Sequence, residues 1–133
     1  MARYAIDAPT ALRIVDEGVT VHPDHQLVAP NLLRSEALSI IYRAVRDGSL
    51  DRARSRAVLD GITTMRIRLL GDRVSRSTAF RLADENGWSD TRDAEYLAVA
   101  KLQADALVTV DAPLAGLARG IVQLAPFEVL ARP

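Results

Sequence analysis

The sequence contains no cysteine, which excludes a disulfide framework, a thiolate metal site and a cysteine nucleophile together. It has one lysine, Lys101, against sixteen arginines. That bias suits bidentate contacts to phosphate or carboxylate, although a GC-rich genome produces it as well. Lys+Arg and Asp+Glu balance at 17 each, so no overall basic field advertises a nucleic-acid binder. Aromatic residues make up only 5% of the chain. Tyr4, Tyr42, Tyr96 and Trp88 are therefore read as core or edge packing, with base stacking as the alternative. No apolar run is long enough to span a bilayer, and the N-terminus passes straight into Tyr4-Ala5-Ile6 without a charged and then apolar leader. The expectation is a soluble cytoplasmic protein without a membrane partner. There is no Gly-rich phosphate loop and no Ser-His-Asp set.

What is present is a regular alternation. With 133 residues and 49% hydrophobic content, the chain is read as one domain, 1–133, with a real core. Tyr4–Ile6, Gln26–Ala29, Arg66–Leu70, Ala106–Val110 and Ile121–Leu124 read as strands. Helical periodicity covers Ala8–Glu17, Leu32–Asp47 (begun by Pro30-Asn31), Leu50–Thr64, Ser75–Asn86, Ser89–Gln103 and Asp111–Ala118. Strands separated by helices predict an α/β three-layer sandwich: a mostly parallel sheet, its Arg66–Leu70 strand nearer an edge, flanked by helices.

In such folds ligands bind outside the carboxyl ends of the strands. Two strand ends carry the same word, Asp-Ala-Pro, at Asp7 and Asp111. Either aspartate is explained alone as a helix cap. Two further acids alter the weighing. Glu36 shares its helix side with Leu32, Leu33 and Ile40, and Asp93 shares its own with Tyr96, Leu97 and Ala100, so both are expected to face inward. The bland readings are an ion pair of Glu36 with Arg43 or with some distant Arg, and a first-turn acid at Asp93 favoured by the helix dipole. Asp90 is either an N-cap or a further acid at the rim. Arg92 and Glu95 are spaced for a salt bridge on an exposed face.

Clustered acids need a physical reason. Two like charges about 4 Å apart repel by roughly 4 kcal/mol at an effective dielectric near 20, while a domain of this size is stable by about 5–15 kcal/mol in total. Such a group must take up protons, pair with Arg or bind cations. Oxygen donors without His or Cys suit Mg²⁺ or Mn²⁺, and that combination suits phosphodiester hydrolysis.

The segments Y-A-I-D-A-P-T-A-L, N-L-L-R-S-E-A-L-S-I-I-Y, T-R-D-A-E-Y-L-A-V-A-K-L-Q-A and D-A-L-V-T-V-D-A-P-L-A resemble, in this order and nearly end to end, the PIN domains and in particular VapC-type toxins of bacterial toxin–antitoxin modules. The resemblance implies a metal-dependent ribonuclease site lined by Asp7, Glu36, Asp93 and Asp111, all four offered as catalytic residues and Mg²⁺ or Mn²⁺ ligands. It implies Thr109 as a hydroxyl partner beside the last acid. It also implies an RNA substrate, a cognate antitoxin and a homodimer, for which Leu50–Thr64 offers a surface. Two positions depart from the pattern: Pro9 stands where relatives often have a hydroxyl residue, with Thr10 following, and Arg92 stands where an aromatic or small residue is usual. A PIN-like module that binds RNA or an antitoxin without cleaving is therefore the alternative. A phosphorylatable receiver domain fits less well, because Asp7 has no acidic neighbour and Lys101 is mid-helix. His22 and His25 in V-H-P-D-H-Q read as a polar turn rather than a metal clamp. The arginines from Arg43 to Arg56 suit RNA phosphates, an acidic antitoxin tail or simply a solvated face.

Overall fold

A computed structural model describes residues 2–133. The order of elements is β1 (Arg3–Ile6), α1 (Ala8–Asp16), β2 (Gln26–Pro30), α2 (Leu33–Arg46), α3 (Arg52–Thr64), β3 (Arg68–Leu70), α4 (Arg73–Asn86), α5 (Arg92–Gln103), β4 (Ala106–Val108) and α6 (Ala112–Ala118), followed by a 3-10 turn over Phe127–Ala131. Four strands form one sheet in the order β3-β2-β1-β4. Every pair is parallel, with Tyr4 opposite Leu27 and Ala106, and Val28 opposite Arg68. The short Arg68–Leu70 strand lies at an edge, as its weak alternation suggests.

Helices cover the sheet in the expected three-layer arrangement. The two central strands and β4 read as nearly unbroken apolar runs because both faces are covered: Ala5, Ile6, Leu27, Val28, Leu107 and Val108 are all buried. Helix α5 packs on β1, β2 and β4, and α4 packs on α5. Its buried run Ala94, Tyr96, Leu97, Ala98, Val99 and Ala100 is rich in alanine, whose small side chain lets the helix lie close to the strands. On the other side α1, α2 and α3 pack on one another.

Four helices start in the same way. Asp7, Asp51, Asp72 and Asp111 each accept the backbone N–H of the residue three positions on, from Thr10, Arg54, Ser75 and Leu114, which satisfies one of the free donors of a first turn. Pro9 and Pro113 sit in first turns, where a missing N–H costs nothing. Gly87 ends α4 at φ 69°, a backbone conformation that side chains disfavour.

Several boundaries differ from the sequence reading. Ile121–Leu124 is not a strand: only Leu107 and Leu124 form a parallel bridge. The amides of Leu107 and Ala125 donate to Gln123 and Leu107 carbonyls, and then Pro126, which has no N–H to extend a ladder, turns the chain into the 3-10 segment. Pro30 closes β2 instead of opening α2, because the Asn31 amide still donates to the Leu70 carbonyl (3.0 Å). Helix α4 starts earlier than Ser75, behind the Asp72 cap. Helix α5 starts at Arg92, later than Ser89, since the Asp90 carboxylate first accepts the Arg92 amide in a turn (3.0 Å). His22, Pro23 and Asp24 form a turn, in which His22 Nδ1 accepts the Asp24 amide (3.1 Å).

Gly61, in the middle of α3, has a packing reason. A Cβ there would collide with the Val15 side chain of α1, so the glycine lets α3 approach α1 closely. Helix propensity alone favours leucine over glycine by up to about 1 kcal/mol. Overpacking a tight contact costs about 1–3 kcal/mol or more, and Gly61→Leu is expected to lower the melting temperature; a higher one would show that this contact yields.

Candidate functional site

The chain leaves β1 toward β2 on one side and returns, after β3, to β4 on the other. The order of strands thus reverses between β1 and β4, which opens a crevice at their carboxyl ends. Asp7 follows β1 directly and Asp111 closes the loop after β4. Between them and the starts of α2 and α5 lies a cleft of about 470 Å³, lined by Asp7, Glu36, Asp93 and Asp111 and also by Glu95, Tyr96, Arg43 and Arg92. All four acids singled out in the sequence therefore line one cleft. A larger hollow of about 1180 Å³ opens at the opposite, amino ends of the strands, beside Arg3, Gln26 and the His22–His25 turn, and among the described residues Asp24 is its only carboxylate.

Asp7 is the most constrained of the acids. It is 2% exposed, and its two oxygens are held by two threonines. The Thr10 hydroxyl donates to Asp7 Oδ1, and the same hydroxyl accepts the Val110 amide (3.0 Å). The Thr109 hydroxyl donates to Asp7 Oδ2 (2.7 Å) and accepts the Asp111 amide (3.0 Å). Each hydroxyl therefore links the end of β1 to the loop after β4. Together they fix Asp7 and Asp111 relative to one another.

The other caps supply a comparison. Asp72 performs the same cap at an exposed position, and the Ser75 amide and hydroxyl hold its carboxyl below the usual carboxylate range. At Asp7 burial pushes the carboxyl up, and this outweighs the hydrogen bonds from Thr10 and Thr109 that favour its charge. No Arg, Lys or His forms an ion pair with Asp7 among the described residues. Capping explains Asp72 fully. It does not explain a buried, cation-free carboxylate.

The remaining acids are arranged in pairs. Asp93 is raised by desolvation and by the Asp111 charge; Glu95 is raised by desolvation and by Glu36. Glu36 is half-buried and accepts the hydroxyl proton of Tyr96, so the ion pair with Arg43 is not formed. Asp93 is exposed at the rim instead of facing inward, because α5 begins only one residue before it and the buried face starts at Ala94 and Tyr96. Arg92 pairs with Asp90 (3.2 Å), not with Glu95. Glu95 turns into the cleft, half-buried. Asp90 is thus not the N-cap, a position that Thr91 occupies; it is an acid at the rim, and its charge helps to raise the carboxyl of Asp93.

Three site residues escaped the sequence reading. Thr10 was legible, because in D-A-P-T the threonine stands at the third helical position, where side chains reach back to the cap. Glu95 was hidden by the expected helix frame. Tyr96 meets Glu36 across 60 positions, and nothing local announces that contact.

Among the described residues no three His, Asp or Glu side chains converge as a complete ligand set. The donors that line the cleft are all oxygens, and Mg²⁺ takes one or two carboxylates while keeping several waters. A hard divalent cation therefore fits the donor chemistry, with Asp7 and Asp111 as direct candidates and Asp93 and Glu36 at the cleft wall.

The fold and site thus define an all-parallel α/β sandwich with an acid-lined cleft at its topological switch point. No family model matches the chain, and no curated protein matches it. Among solved structures, the crystal structure of PAE2754 from Pyrobaculum aerophilum is similar at a TM-score of 0.71 with 24% sequence identity, covering 98% of this chain and 94% of that one. That likeness establishes the fold. No helix is long and apolar enough to cross a membrane among the described residues.

The raised carboxyl of Asp7 has a signed consequence. Between its unfolded and folded pKa values the native state binds the extra proton, so this contribution to stability is present at low pH and is lost as pH rises through the folded value. In EDTA, Asp7→Asn is expected to melt a few degrees above wild type at pH 7, with the gap closing toward pH 4; a variant that melts lower at pH 7 would contradict the assignment of net strain to this charge. Millimolar Mg²⁺ or Mn²⁺ is expected to raise the wild-type melting temperature, and to raise that of Asp111→Asn by less. Superimposable wild-type curves with and without metal count against a cation site.

Proposed function

We propose that the protein is a metal-dependent endoribonuclease, acting as the toxin of a toxin–antitoxin module and hydrolysing phosphodiester bonds in RNA. One observation carries the reading: Asp7, buried at the switch point with both oxygens oriented by Thr10 and Thr109, faces a cleft of further acids without a cation of its own. The resemblance of the four acidic segments to PIN domains of the VapC type supports the same reading, and so does the all-oxygen donor set.

Asp7 and Asp111 would hold Mg²⁺ or Mn²⁺, with Asp93 and Glu36 completing the acidic wall. When bound, such an ion polarises a phosphate oxygen and lowers the pKa of water at neutral pH. The residues of the chain supply the rest. Thr10 and Thr109 keep Asp7 in one orientation, so no reorganisation is needed when the substrate arrives. Tyr96 fixes Glu36 through a hydroxyl kept protonated by burial and by the neighbouring carboxylate. Glu95, whose carboxyl is raised by burial and by Glu36, adds a further carboxylate to the cleft wall. Arg43 and Arg92 at the cleft wall suit the phosphate backbone.

Arg92 also motivates a second reading. Its guanidinium lies close enough to feel Glu36 and Asp93 as well as Asp90, so a resident positive charge serves part of the purpose a metal would. A PIN-like module that binds RNA or an antitoxin without cleaving follows from that arrangement. An antitoxin and homodimerisation are proposed on the resemblance alone, and a cytoplasmic site of action is proposed from a sequence with no apolar run long enough to span a bilayer. The large apolar side chains that are exposed, Leu38, Tyr42, Val74, Phe80, Leu102 and Val110, lie outside α3, the helix whose sequence offered a dimer surface.

Purified protein incubated with total RNA separates the two readings. Cleavage is expected with Mg²⁺ or Mn²⁺, none with EDTA, and a loss of at least about a hundredfold in Asp7→Asn with its circular dichroism unchanged. Undiminished cleavage by Asp7→Asn would sink the assignment, and metal-independent binding without cleavage would favour the second reading.

A further inference from the structure

Tyr42 does not behave as the core or edge residue its composition class suggests. It is 61% exposed on α2, and Leu38, one turn before it, is 50% exposed. The two border a shallow depression whose other walls are Ser39 and Arg43. Ser39 and Arg43 also line the acidic cleft, so the depression and the cleft are continuous across one helix face. Arg46 lies one turn beyond Tyr42, on the same side. Among the described residues neither Arg43 nor Arg46 has a carboxylate partner.

Each part has a physical implication. A flat aromatic ring held out into water on a rigid helix gains by being covered with another flat ring. Two unpaired guanidiniums beside it favour a ligand that carries regularly spaced negative charge. An apolar protein surface would satisfy Tyr42 and Leu38 but leave both arginines desolvated or unpaired, which is costly. A duplex cannot offer its base faces to a side chain, because they are stacked on one another.

We propose that Leu38, Tyr42, Arg43 and Arg46 form a subsite for single-stranded RNA, in which Tyr42 stacks on an unpaired base next to the nucleotide in the cleft and Arg43 and Arg46 hold the flanking phosphates. This deepens the ribonuclease reading and rests on it for the direction of the strand. The subsite selects unpaired over paired RNA, and it does so by stacking, with little preference among bases.

The test uses the full chain in EDTA, where cleavage cannot interfere, and a fluorescein-labelled unstructured 12-nucleotide RNA followed by anisotropy. Tyr42→Ala is expected to weaken binding about tenfold or more, and Tyr42→Phe to bind within about twofold of wild type. Tyr42→Leu, apolar but without a flat face, is expected to lose affinity as the alanine variant does. Arg43→Gln is expected to flatten the dependence of log affinity on log salt by roughly 0.7, the value for one phosphate on a single strand. The position is exposed, so unchanged melting curves will accompany these effects.

The proposal is overturned if wild type does not bind the RNA, if Tyr42→Ala or Tyr42→Leu binds as wild type, or if Tyr42→Ala changes the sedimentation of the protein and not its RNA affinity, which would make the patch a contact between copies. Failure of the ribonuclease reading looks different. In that case RNA binding still depends on Tyr42, but Mg²⁺ and Mn²⁺ produce no cleavage.

Discussion

Asp7 sits where a helix needs a cap, a parallel sheet needs closure and water is largely excluded, and one carboxylate has to meet all three conditions. The strand that leads to it lies between β2 and β4, so its end cannot be moved to solvent without breaking two ladders. The charge is kept tolerable by hydroxyls, Thr10 on one oxygen and Thr109 on the other, and these hydroxyls are in turn oriented by the amides of Val110 and Asp111. The loop after β4 is therefore tied to the first turn of α1 through the same carboxylate. Losing the Thr109 hydroxyl would free the Asp111 amide, and with it the shape of the cleft.

The other caps show why local chemistry is insufficient as an account. Asp51, Asp72 and Asp111 accept the same backbone hydrogen bond as Asp7. Only Asp7 does so buried. Its carboxyl is raised where that of Asp72 is lowered, so the surroundings, and not the cap, set its energetics. A buried carboxylate without an ion-pair partner is unfavourable to folding and favourable to binding a cation, and the two statements describe one free energy. Glu95 and Asp93 extend the same logic outward, each raised by burial first and by a neighbouring acid second.

How much was legible in the sequence follows from the range of the interactions. Caps, turns and the apolar runs are local, so Asp7, Asp111, the parallel strands and the helices that separate them could be read directly. The start of α5 could not, because the Asp90 turn delays it by three residues and leaves Asp93 in the first turn at the rim; the burial that follows, from Ala94 to Ala100, runs nearly all around the helix and takes Glu95 half-buried into the cleft. Ile121–Leu124 has the composition of a strand but touches the sheet at one bridge only, since Pro126 stops the ladder. The Tyr96–Glu36 contact joins two helices brought together by the fold, and the exposure of Tyr42 depends on what does not pack against α2. Neither has a counterpart in spacing or periodicity.

The central claim is that a divalent cation belongs beside Asp7 and Asp111. Crystals of the protein grown with Mn²⁺, with anomalous diffraction recorded at the manganese edge, test it without reference to any substrate. An anomalous peak within the cleft, with carboxylate oxygens of Asp7 and Asp111 at the roughly 2.0–2.2 Å expected of small hard cations, is the result this account predicts. A wild-type cleft without anomalous density at millimolar manganese, no different from that of an Asp7→Asn crystal, would contradict it.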